Sequence, residues 1–407
     1  MKKLLIVLIC LSQALIAQTP SKNELVDFVN YFDKEAANPA KVFSIETKYY
    51  PTNREFIVYT PASYKKTGHS RYPVLYLLDG KSKIKQLIFT ANTLASKRKM
   101  PEIIIVALPA GETRQQDYTP NYLFKHSSNE KGDAKNFSQF IKFDLIPFID
   151  SHFRTEPYRI ISGHSRSGLF IINDLINKTG LFNAHFAFSP ALWPNDFAII
   201  NQLQANKSHE GFLYVNVGDE ENQKMKSSLL KLVHLLEKSN TNKLNWGFDI
   251  AANESHSTTA IIGHHMALRK LYTNWDKPWE AYFEQGLKVI PQQYTLLSNE
   301  FNYRVVPDER ALNSIGYQFL KKNKTLKAIE AFKMNSLYHP KSANSYDSLA
   351  DALEIQGELD EAILIIDKAL LLLDGEGDPN HATIIKHRNQ LYKKTLKDRH
   401  LKSHKFK

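Results

Sequence analysis

Between residues 43 and 271, short and strongly apolar runs alternate with longer stretches whose apolar residues recur at helical spacing. The pattern predicts strands at residues 55–59, 74–78, 103–108, 159–162, 185–188, 212–217 and 246–250. Several of them, such as Ile103-Ile104-Ile105-Val106-Ala107-Leu108, are apolar at consecutive rather than alternating positions. That suits strands covered by helices on both faces. Helices are predicted between them, among others at 136–148, 168–177 and 225–239. Sustained strand–helix alternation predicts an α/β fold, a three-layer sandwich on a mostly parallel sheet.

Beyond residue 306 the pattern changes. Ile315, Gly316, Phe319, Ala328, Phe332 and Pro340 fall on the small and apolar positions of a helix–turn–helix repeat of about 34 residues. Advancing by one period reaches Leu349, Ala350, Leu353, Ala362 and Ile366, with Tyr346 and Ala369 also in place. Asn335 and Asp374 depart from the pattern. This region resembles tetratricopeptide repeats, which implies a C-terminal all-α domain over 306–397. Two repeats bury their faces poorly alone, so a closing helix is expected around 382–396. Residues 276–305 read as a connector packed between the two parts, and 398–407 as a basic tail.

Composition adds little until charge is located. The chain has 407 residues, 43% hydrophobic and 23% charged, which excludes wholesale disorder. Of the net charge of +11, +8 lies in residues 386–407 and +2 at Lys2 and Lys3, leaving +1 for everything between. The body is thus near neutral, and no nucleic-acid groove is implied. Lys2 and Lys3, the apolar run 4–16 and the small Ala17 form the pattern of a cleaved export signal, residues 1–17. The expected product is periplasmic or secreted, with no membrane span after cleavage. Cys10, the only cysteine, lies inside that signal, so disulfide and thiolate chemistry are excluded from the mature chain.

The informative motif is Ile160-Ile161-Ser162-Gly163-His164-Ser165-Arg166-Ser167-Gly168. An apolar strand enters a tight turn with serine at its apex and leaves as a helix, the setting of a nucleophile elbow. The helix N-terminus and the backbone N–H of Arg166 would face a developing oxyanion. Ser167 stands where a glycine is usual, with Gly168 one place later. A serine needs a base, and the base needs an orienting acid. Both are expected on loops after later strands. His256 follows the run 246–250 and is the candidate base, whereas His264 and His265 read as structural or exposed. Asp219, Glu220 and Glu221 follow the run 212–217; Glu221 is favoured, ahead of Asp219.

Further segments complete the picture. Tyr72-Pro73-Val74-Leu75-Tyr76-Leu77-Leu78-Asp79-Gly80 resembles the strand and oxyanion turn of the Putative esterase family of α/β-hydrolases. Arg114-Gln115-Gln116-Asp117-Tyr118-Thr119-Pro120 is similar to the segment preceding the substrate cleft in its enterochelin-esterase-like branch. Asp144-Leu145-Ile146-Pro147-Phe148-Ile149-Asp150 and Ser189-Pro190-Ala191-Leu192-Trp193 are similar as well. The resemblance spans about residues 43–273 and implies an esterase domain, expected to occupy 18–275. It favours Glu221, three residues after Gly218, as the acid and places the second oxyanion donor at Gly80 or Lys81. Arg114 and Trp193 are candidate substrate contacts. Residues 124–135 are a candidate lid, and Arg166 is a candidate selector of anionic acyl or catechol groups.

The expected activity is hydrolysis of a small-molecule carboxylic ester through an acyl-enzyme, with no cofactor and no metal. Siderophore-type lactones and acylated sugars or phenolics are the implied substrates. Two alternatives stand beside it. One is an acyltransferase, in which an alcohol other than water resolves the acyl-enzyme. The other is a catalytically vestigial domain that serves, with the repeats, as a protein-binding module.

Overall fold

The computed structural model describes residues 40–64, 70–123, 131–206, 209–239, 243–275, 280–373 and 380–405. The export segment 1–17 and residues 124–130 of the candidate lid lie outside the described residues; residues 134–135 of that loop already belong to a helix. The chain divides into two compact units, Met1–Asp276 and Lys277–Lys407.

The first unit is built on β1 (Lys41–Ile45), β2 (Arg54–Tyr59), β3 (Tyr72–Leu78), β4 (Ile104–Leu108), β5 (Thr155–His164), β6 (Ala184–Phe188), β7 (Gly211–Gly218) and β8 (Leu244–Ala251). The strands lie in the order β1-β2-β4-β3-β5-β6-β7-β8. β1 and β2 pair antiparallel at one edge and β2 meets β4 antiparallel; all other neighbours are parallel. β3, β4 and β6 are buried at every residue, as strands that are almost wholly apolar require, His185 on β6 being the buried exception. The amphipathic edge strand β1 is not among the predicted strands. Its apolar residues Val42, Phe43 and Ile45 are only half-buried and are interrupted by the exposed Ser44; Phe43 packs on Phe56, Phe148 and Phe153.

Helices cover the sheet: α1 (Gly80–Ser96), α2 (Arg114–Tyr118), α3 (Ala134–Phe140), α4 (Ile146–His152), α5 (Arg166–Asn177), α6 (Pro194–Ala205), α7 (Gln223–Lys238) and α8 (Thr259–Leu271). A π-helical turn, Ile141–Leu145, joins α3 to α4. The sheet order reverses at β3, whose neighbours are β4 and β5. The carboxyl ends of strands beside such a reversal open a crevice, because the following helices leave to opposite faces. Asp79-Gly80 and His164-Ser165 sit at those two ends.

The second unit is wholly helical: α9 (Glu280–Gln285), α10 (Val289–Phe301), α11 (Glu309–Lys321), α12 (Thr325–Tyr338), α13 (Ala343–Gln356), α14 (Leu359–Leu371) and α15 (His381–Lys405). Its apolar core joins Tyr282, Leu287 and Ile290 to Ile315, Phe319, Phe332, Leu349, Leu353 and Ile366. Residues of the predicted connector therefore share the core of the helices that follow. Gly316 lets α11 and α12 touch: a Cβ there would lie 2.3 Å from Cε1 of the buried Phe332 ring. The basic C-terminal stretch continues α15 as far as Lys405. Among the described residues no helix is long and apolar enough to cross a membrane.

Candidate active site

Ser165 stands between β5 and α5 with φ 61° and ψ −113°. A non-glycine residue there is strained by about 1–3 kcal/mol. The surroundings enforce the conformation: the Ser165 N–H donates to the Phe188 carbonyl (2.9 Å), and the Ser165 carbonyl accepts from Leu169 (3.0 Å) and Ala191 (3.1 Å). Gly163 is required for closeness, since a Cβ at that position would lie 2.7 Å from Ser167 Oγ and 2.9 Å from the Ser167 carbonyl carbon.

Ser167, which departs from the usual glycine, is completely buried and occupied. Its Oγ accepts the His164 N–H at 2.8 Å and lies 2.9 Å from both Asp79 Oδ2 and the His164 carbonyl, either of which can take its proton. Asp79 in turn receives both Nε and Nη2 of Arg114 at 2.7 Å. The elbow is thus fastened to the turn after β3. Arg114, a predicted substrate contact, has its guanidinium committed to Asp79. Bidentate arginine–carboxylate pairs are the geometrically restrictive ones.

His256 lies on the turn after β8. Its Nε2 is 3.0 Å from Ser165 Oγ and its Nδ1 is 2.7 Å from Glu221 Oε2. Glu221 is buried beneath the imidazole, whose side chain is 43% exposed. Burial raises the carboxyl pKa, but hydrogen bonds from His256, the Ser189 hydroxyl and the Gly218 N–H outweigh it and hold Glu221 below its ordinary range. An ionised acid in that place fixes the imidazole tautomer and stabilises the imidazolium. Of the three candidate acids, Asp219 and Glu220 are exposed, and their main chains pair with Ala251 and Glu254.

Gly80 and Lys81 are the first residues of α1, entered through a left-handed Asp79 (φ 54°, ψ 34°), and Arg166 is the first of α5. Backbone N–H groups in a first helical turn have no carbonyl four residues back to bond, so both helices present donors at the crevice. The Arg166 guanidinium donates to Thr119 Oγ1 at 3.0 Å. Trp193 is half-buried at the start of α6, and the Lys224 ammonium lies 5.4 Å from its ring centroid. His264 is buried and its Nε2 lies 2.9 Å from Ser162 Oγ, whereas His265 is exposed.

Three contributors escape sequence reading. Ser189 reaches Glu221 and Thr259 from the turn after β6, with Thr259 Oγ1 at 2.8 Å. Asp79 and His164 are the others; each flanks a motif residue whose role overshadows it. No metal-binding group of three or more His, Cys, Asp or Glu exists among the described residues.

The sheet order, elbow and turn geometry agree with the match of a family model, described as Putative esterase, to residues 47–285. That is more than half of the chain. The chain belongs to the Putative esterase family. Within reach of it are the apo-salmochelin esterase of Escherichia coli, 26% identical over 37% of this chain and 52% of that protein, and the ferri-bacillibactin esterase BesA of Bacillus subtilis, 26% identical over 36% of this chain and 57% of that protein. The chain thus spans little more than half the length of these esterases. A solved IroE-like serine hydrolase from Shewanella oneidensis superposes with a TM-score of 0.64 at 22% identity, over 74% of this chain and 99% of that one. This Putative esterase member has the α/β-hydrolase fold, followed by an all-helical region.

Proposed function

We propose that the protein is an exported serine esterase that hydrolyses carboxylic esters through an acyl-enzyme on Ser165. The observation that carries this reading is the continuous chain Ser165 Oγ–His256–Glu221, with steps of 3.0 and 2.7 Å. His256 takes the Ser165 proton as the hydroxyl attacks the ester carbonyl, then delivers it to the leaving alkoxide. The N–H groups of Arg166 and of Gly80 or Lys81 hold the tetrahedral oxyanion. Water then attacks the acyl-enzyme, with His256 again as base, and releases the acid.

The similarity to salmochelin and bacillibactin esterases supports siderophore-type esters as substrates. The charged start, apolar run and Ala17 support export to the periplasm or beyond. Burial at every small and apolar repeat position in α11–α14 supports a tetratricopeptide-like reading of the second unit. The deciding experiment compares purified wild type and Ser165→Ala on short- and long-chain aryl esters and on a trilactone siderophore panel. The reading requires turnover of at least one ester by wild type and its loss, by at least about 10³-fold, in a folded Ser165→Ala protein. Equal turnover by both would remove Ser165 as nucleophile. Inactivity of wild type on every ester would favour the binding-module alternative.

A further inference from the structure

The triad explains how His256 is tethered at its two nitrogens, but not what holds the plane of its ring. His256 is carried by a turn rather than by a helix or strand, and its side chain is 43% exposed. A hydrogen bond at each nitrogen leaves the ring free to rock about the line joining them. Misplacement of a catalytic group by about 1 Å can cost some 10²-fold in rate.

His164 meets that need. It is the last residue of β5, directly before Ser165, and is buried. Its ring centroid lies 4.6 Å from that of His256, with the planes inclined at 43°. Its Nε2 is buried with no hydrogen-bond partner among the described residues. The His164 ring therefore lies against the His256 ring from the end of the strand that delivers the nucleophile. His164 is itself rigidly mounted: its N–H donates to Ser167 Oγ, and it pairs in register with Phe188 on β6.

The titratable groups whose charge acts on His164 are Lys83 on α1, His256 after β8, Glu221 after β7 and His264 on α8. Burial first, then Lys83, pushes its pKa down to about 4. His164 thus stays uncharged while His256 cycles through its protonated form. A charged neighbour there would oppose the imidazolium by like-charge repulsion.

We propose that His164 is a positioning residue for His256, its ring contact holding the imidazole plane between Ser165 and Glu221. The proposal rests on the triad reading above. It is tested on the full chain with His164→Ala and His164→Phe, Phe keeping a ring against His256 that Ala removes. Two readouts are taken: steady-state kinetics on an aryl ester that wild type turns over, and the downfield proton resonance of the His256–Glu221 hydrogen bond, which needs no turnover. The expected result is a fall in kcat of about 10- to 100-fold in His164→Ala, with KM within about twofold and the resonance broadened or lost. His164→Phe should recover kcat to within about fivefold of wild type and sharpen the resonance.

A His164→Ala protein with wild-type kcat and a sharp resonance would overturn the proposal. So would a fall in kcat with the resonance unmoved, since that is loss of packing alone. If His164→Ala does not fold, His164→Phe and His164→Gln carry the same test, with Gln expected to broaden the resonance more than Phe. Failure of the triad reading looks different: Ser165→Ala would turn over the ester like wild type, while the resonance would still report on His164.

Discussion

Glu221 illustrates how a single carboxylate is prepared. Three donors hold it ionised inside a buried pocket, so replacing it with Gln removes charge and leaves the Ser189 hydroxyl and Gly218 N–H facing an amide. Glu221→Gln should lower kcat by about 10²–10⁴-fold, because the amide favours the wrong imidazole tautomer. Steady-state kinetics on any active ester will show it, and an unchanged kcat would return the role to Asp219. Arg166 offers a second test. Its guanidinium reaches Thr119 at the crevice, where a substrate anion could compete for it. Arg166→Gln should lower the ratio of rates on anionic over neutral esters by roughly tenfold, the strength of one charge-assisted hydrogen bond. Equal ratios in wild type and variant would leave Arg166 without a part in selection.

Elements show where sequence pattern speaks and where it falls silent. Apolar runs announced the sheet interior because β3, β4 and β6 have no solvent face to encode. β1 carried no such run, since an edge strand only half covered is anchored by Phe43 and Ile45 with an exposed Ser44 between them. Ser165 and His256 were legible through their places beyond strand ends, and Glu221 through the spacing from Gly218 that the family resemblance implies. Ser189 and Asp79 were not: their importance lies in contacts spanning 32 and 88 residues, which no local pattern records. The helix pair α11–α12 supports a prediction of its own. In Gly316→Ala the new methyl meets the ring of Phe332, which is fully buried. Overpacking of this kind should destabilise the second unit by about 1–3 kcal/mol, measured by hydrogen exchange of α11 and α12, while amides of the first unit keep their protection.

The whole molecule should respond to pH in two opposed directions. In the first unit, burial holds His164 and His264 down to about 4 and about 3. The unfolded chain binds protons at these sites below about pH 6.5 while the folded chain does not, so stability present above that pH is lost as pH falls. In the second unit His387 on α15 faces Asp347, Asp351 and Glu354 on α13, its Nδ1 2.6 Å from Asp347. Burial lowers its pKa, but the carboxylates outweigh this and raise it above its ordinary value. Its contribution is full below about pH 6.5 and is lost as pH rises through the raised value. Hydrogen exchange across pH 5–9 should therefore show the first unit loosening at the acid end and α15 at the alkaline end, the latter trend flattened in His387→Gln. A uniform response of both units would contradict this. The tie between Asp79, Arg114 and Ser167 has a consequence in evolutionary time. A nucleophile turn that has accepted serine in place of glycine has filled its spare room with a hydroxyl bonded to another loop. Reversion at Ser167 alone would withdraw a donor from a buried carboxylate, so the three positions are expected to drift together or not at all, and a lineage carrying glycine there should also show what now replaces that bond to the aspartate.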